Sequence, residues 1–180
     1  MALVGLMLAG CGSSISPDSG LPTSSRFTPP PLSTSVSSVS DLDNAKQSAT
    51  DAYLGMWRDM EAAATSSDWQ SPRLAQHATA DAPPVITNSL RTDSQRGVVT
   101  KGQLKNFPQV TTVDPLSDPT TVLIKDCSDS ANWLKYRVDN GQLVDDKPGG
   151  RQAITAEVKK QPDGAWRVTR FAVEGVGSCS

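Results

Sequence analysis

Residues 95–100 read Gln95-Arg96-Gly97-Val98-Val99-Thr100, and at Gly97 the apolar period of the chain changes from helical to alternating. Upstream, Ser40 or Asp41 is placed as a helix N-cap. Ala45, Ala49, Ala52, Tyr53, Met56, Trp57, Met60, Ala63 and Ala64 then follow at steps of mostly three or four, which predicts one long helix with a continuous apolar stripe. Ser71-Pro72 reads as the cap and first position of a short second helix reaching about Ala78. Asp81 with Pro83 and Pro84 opens a third, running to about Gln95 and closed by Gly97.

Downstream of Gly97, strands are predicted at 98–100, 109–113, 121–125, 133–138, 153–160 and 165–173. Asn140-Gly141 and Pro162-Asp163-Gly164 mark turns, the second joining the last two strands as a hairpin. In that hairpin Ile154, Ala156 and Val158 share one face. The step from Val168 to Phe171 breaks the alternation and predicts a bulge near Arg170. Helices first and an antiparallel meander afterwards define an α+β domain, with the long helix packed across a curved sheet.

The chain has 180 residues, enough for one core. Its 17 basic and 19 acidic residues give a net charge of -2, so no basic face is implied that would recruit nucleic acid. Residues 12–42 are dominated by Ser, Thr, Pro and Gly, too poor in apolar area to offset the entropy of ordering. They read as a disordered tether, spanning about 30 Å on average as a flexible chain.

The first 11 residues are the most specific address in the sequence. Ala2 to Ala9 are apolar apart from Gly5, far short of a membrane span and suited to a signal-peptide core. The quartet Leu8-Ala9-Gly10-Cys11 resembles the lipobox of bacterial lipoproteins. That resemblance implies cleavage before Cys11, a diacylglycerol and palmitate on its sulfur and nitrogen, and a domain held by a lipid anchor on the outer face of the cell membrane. No basic residue precedes Arg26, so the signal segment is expected to begin upstream of Met1.

Residues 43–180 then form the domain. The run Asp126-Cys127-Ser128-Asp129-Ser130, with Trp133, Asp163-Gly164-Ala165-Trp166-Arg167-Val168 and Gly177-Ser178-Cys179, resembles actinobacterial lipoproteins of the NTF2-like superfamily. The resemblance implies a cystatin-like cone. Its motifs are mostly turn and core residues and speak to fold more than to function. Cys127 ends a strand and Cys179 lies in the last two residues, so a disulfide between them would fasten the C-terminus to the sheet. Export favours that oxidation.

Candidate chemistry is thin. The resemblance implies that an enzyme of this fold would place an Asp, or a His with an acidic partner, inside the cone, but no such dyad can be mapped from motif. His77, the one histidine, reads as solvent-facing or structurally bonded, and Asp59 as exposed. Asp126, Asp129, Asp139, Asp145 and Asp146 do not match a calcium-loop spacing, and Gly149-Gly150 reads as a turn. No metal site and no cofactor are expected. Tyr53, Trp57, Met60, Trp133 and Trp166 are candidates for lining a pocket, although such positions are more often core. Two classes of function follow. The favoured one is a non-catalytic binding or assembly module for a small apolar ligand or an envelope protein; the other is an enzyme working by general acid and base chemistry.

Overall fold

In the computed structural model, helix α1 spans Ser35–Ala64, and Ala45, Ala49, Ala52, Tyr53, Met56, Trp57, Met60, Ala63 and Ala64 are all buried along one stripe. The described residues are 35–145 and 149–180, for 35–38 the backbone only; Leu8, Ala9, Gly10, Cys11 and the tether up to residue 34 lie outside them. Helix α1 begins at Ser35 rather than after an N-cap at Ser40 or Asp41, ahead of its buried stripe. Once a helix is nucleated, each added residue closes a backbone hydrogen bond without needing a packed face. At its other end Ser67 turns left-handed (φ 50°), Asp68 N donates to Ala63 O, and Ser67 Oγ donates to Val98 O at 2.6 Å.

A short 3₁₀ turn, Pro72–Ala75, stands where a second helix through Ala78 was expected. The residues beyond it have better partners than a helix would give them. Val168 N donates to His77 O, Thr79 N to Val168 O and Asp81 N to Thr169 O, so this segment runs along the last strand and satisfies its edge. Helix α2, Ala82–Gln95, carries Pro83 and Pro84 in its first turn and buries Ala82, Ile86 and Leu90. Gly97 follows in the left-handed conformation (φ 63°) that ends such helices.

The strands are β1 Val98–Gly102, β2 Gln109–Asp114, β3 Thr121–Asp129, β4 Trp133–Arg137, β5 Arg151–Lys160 and β6 Trp166–Val173. They do not form one meander. The main sheet has the order β2-β3-β5-β6, and β4 leaves it to pair with β1. β3 is longer than its apolar run suggested and pairs with β5 from Thr121↔Lys159 to Asp129↔Arg151, leaving no room for β4 between them. Gly102 makes the separate ribbon possible: a Cβ there would lie 1.8 Å from the Asn132 carbonyl oxygen. In β6, Glu157↔Arg170 is followed by Val158↔Val168, so Thr169 is the extra residue of the bulge expected near Arg170.

Helix α1 crosses all four strands of the main sheet. The inward residues Val122, Ile124, Ile154, Ala156, Val158 and Val168 meet its stripe in one apolar core. Cys127 and Cys179 form a disulfide with a Cα–Cα distance of 5.8 Å. Together with Glu174 N donating to Ala153 O and Ala153 N donating to Ser178 Oγ, it straps the tail to the sheet.

Candidate functional site

Alternation along β3 sends Val122, Ile124, Asp126 and Ser128 inward, and so places a carboxylate among aliphatic side chains. Asp126 is only 5% exposed. Tyr53 Oη donates to its Oδ2 at 2.8 Å, Asn106 Nδ2 to the same oxygen at 2.8 Å, and Phe107 N to Oδ1 at 2.6 Å. Three donors meet the need of a buried anion, which would otherwise cost several kcal/mol to desolvate, on the order of the full penalty for an unpaired charge. The phenol responds as expected: burial first, then the Asp126 charge and hydrogen bond, push the Tyr53 pKa well above the ordinary phenol range.

The cone around this cluster is filled. Tyr53 and Trp57 meet edge to face at 6.2 Å, and Trp57 and Phe171 at 5.6 Å. Of the five candidate lining residues, Tyr53, Trp57 and Met60 are buried core, and Trp133 and Trp166 are half-buried against it. They do not share one wall. Trp57 edges a cleft of about 230 Å³ with Glu61 and Asn106, whereas Trp166 edges a separate polar cleft of about 360 Å³ beside Asp41 and Lys160. In the first cleft Glu61 accepts Leu104 N at 2.7 Å, and burial raises its carboxyl pKa.

A second acidic group was misread from sequence. Asp59 is 6% exposed, not solvated, and its Oδ2 lies 2.6 Å from His77 Nδ1. The imidazole, with its side chain 37% exposed, rests on α1 at Gly55, where a Cβ would fall 2.5 Å from the ring. Asp59 shares the helical stripe with Met56 and Ala63, and Asp126 shares the inward row of β3. Position within the apolar pattern was the signal for both. Among the described residues no group of three or more His, Cys, Asp or Glu is placed to hold a metal ion; Asp146 lies outside them.

The opposite face of the main sheet, turned away from α1, is open. A trough of about 360 Å³ crosses its middle over Leu123, Thr155 and Ala172, and shares Lys125 and Thr155 with a second of about 500 Å³. The second is bounded by Phe107, Arg151 and the strapped Cys179. Phe107 is 52% exposed, with the Arg151 guanidinium 5.9 Å from its ring centroid.

No family model matches the chain, and no curated protein sequence is similar to it. Solved structures are similar in fold. An NTF2-like superfamily protein from Salmonella enterica superposes with a TM-score of 0.54 at 14% identity, covering 77% of this chain and 95% of that one. Aln2 from a Streptomyces species gives 0.49 at 13% identity, with 73% and 90% covered. A ketosteroid isomerase-like protein from Erwinia carotovora gives 0.41 at 10% identity, with 76% and 97% covered. The domain has the NTF2-like fold: helices packed on a curved antiparallel sheet.

Proposed function

We propose that this protein is a lipid-anchored, extracytoplasmic lipoprotein whose NTF2-like domain is a non-catalytic binding or assembly module, engaging an envelope protein through the open face of its sheet. One observation carries the choice against catalysis in the cone. The carboxylate on the inner face of the sheet, Asp126, accepts hydrogen bonds at both oxygens, from Tyr53, Asn106 and Phe107 N, is 5% exposed, and lies beside the apolar core. A general base must reach its substrate, and this carboxylate is buried. The anchor rests on Leu8-Ala9-Gly10-Cys11, and the disulfide agrees with an oxidising compartment.

The test is site-specific photo-crosslinking in cells expressing the full reading frame, with the crosslinker at Thr155 in the trough or at Val85, which is exposed on α2. A protein adduct from Thr155 and none from Val85 is expected. Equal adducts, or none, would reject the reading. For the anchor, labelled palmitate should enter the wild type and not Cys11→Ser, and uptake by neither would reject lipidation.

General acid and base chemistry remains the second reading, and His77 backed by Asp59 is what favours it. It predicts hydrolysis of p-nitrophenyl acetate faster than by an equal concentration of imidazole, lost in His77→Gln.

A further inference from the structure

We propose that the Cys127–Cys179 bond is a redox latch: its reduction releases residues 174–180 from a sheet that stays folded, and uncovers the edge of β5 from Arg151 to Ala153. The device does not depend on what the open sheet face holds, so its failure would leave that reading as it stands. Without the covalent bond, little fastens the tail. Glu174 N donates to Ala153 O, Gly177 N to Arg151 O, and Ala153 N to Ser178 Oγ. Val176, the one aliphatic side chain in the segment, rests on Gly150 and is still 62% exposed. Fixing seven residues, two of them glycine, costs more backbone entropy than three exposed hydrogen bonds can offset. Closing the bond places the end of the segment on β3 and leaves only a short stretch to order.

The sheet has support of its own. Cys127 alternates with the inward Asp126 and Ser128, so the bond lies on the side away from the core, and no residue of the tail belongs to that core. The β3–β5 ladder continues on both sides of the Cys127↔Ala153 rung and loses none when the bond opens. What changes is the other edge of β5. Beyond Ile154↔Val173 the tail takes over from β6, and its release leaves Ala153 N–H and the carbonyls of Ala153 and Arg151 unpaired, a short strand edge open to another strand. Both cysteines line the cleft of about 500 Å³ and are half-buried, so a thiolate has a way in. The reductant is a dithiol. Its thiolate attacks one sulfur and expels the other as thiolate, forming a mixed disulfide; its second thiol then closes the reductant's own disulfide and expels the remaining cysteine. Two electrons and two protons pass to the pair.

Dithiothreitol and the full chain test this, with Cys11→Ser leaving Cys127 and Cys179 as the remaining pair. Reduction, followed by thiol labelling, should speed up in proportion to reductant concentration, with the near-UV circular dichroism of the domain preserved. Backbone amide order parameters from Glu174 to Ser180 should fall below about 0.6 on reduction, while those of β3 and β5 stay near about 0.85. The Ala153 amide should gain in exchange rate by about tenfold more than the Val158 amide. Adding Cys127→Ser and Cys179→Ser together should free the tail in the same way with no reductant present. A reduction rate that levels off at the rate of global unfolding would mean that the bond is reached only in the unfolded chain, and would overturn the latch. So would a tail that stays ordered after reduction, or a reduced domain or Cys127→Ser, Cys179→Ser variant that loses its near-UV spectrum.

Discussion

The imidazole of His77 lies on the backbone of Gly55, one helical turn before the carboxylate that holds it, Asp59. A methyl at position 55 would fall 2.5 Å from the ring, so the glycine is a seat rather than a flaw in α1. Gly55→Ala should therefore lower stability by about 1–3 kcal/mol through overpacking, despite the roughly 1 kcal/mol that alanine gains in a helix. In a His77→Ala background the same substitution should turn neutral or stabilising. Chemical denaturation of the four proteins as a double-mutant cycle measures the difference; additivity would remove the seat.

Removing Asp126 strands three donors at once. Asp126→Ala should cost about 3–5 kcal/mol, as for a broken buried charge network, and Tyr53→Phe about 1.5–3 kcal/mol, as for one hydrogen bond to a charged acceptor. Urea titration of both reads this out. If Tyr53→Phe matched Asp126→Ala, the phenol alone would hold the site.

Two glutamates should pull the acid stability curve in opposite directions. Burial raises the Glu61 pKa above its ordinary 4.5, so its neutral form favours the fold; its contribution is present at low pH and lost as pH rises through the folded pKa. For Glu157, burial alone would raise the pKa, but the hydrogen bonds from Thr169 and Lys159 and the charges of Lys159 and Arg170 bring it below 4.5. Its contribution is present above 4.5 and lost as pH falls. Melting temperatures from about pH 2.5 to 6.5 should show Glu157→Gln losing most at the upper end, while Glu61→Gln loses nothing there or gains.

The strap should matter in proportion to the chain it closes. Cys127 and Cys179 are 52 residues apart, so the Cys127→Ser, Cys179→Ser double variant should lose about 4 kcal/mol on the chain-entropy model. The denatured wild-type domain should contain no free thiol. Two free thiols, or a double variant as stable as the wild type, would contradict the linkage.

What could be read from the chain alone depended on whether a residue's partner was near in sequence. The α1 stripe, the Gly97 switch, the Gly164 turn and the bulge beside Arg170 are set by local periodicity and turn chemistry, and they stand where the pattern puts them. His77 and Ala78 read as the end of a helix, whereas His77 O and the following Thr79 N pair with Val168, about ninety positions away. β4 was misassigned to a meander because alternation defines a strand and says nothing about its neighbour. Asp126 and Tyr53, 73 positions apart, meet only once the helix crosses the sheet.

The nine-pair ladder between β3 and β5 has a mechanical meaning. It runs lengthwise from the end where α1 begins to the end where Cys127 grips the tail. A pull on the tail enters β3 through the Cys127–Cys179 bond and is directed along that strand, loading its rungs with β5 in shear, all together, instead of peeling them one at a time. While the disulfide holds, tension on the tail cannot draw out the chain between Cys127 and Cys179.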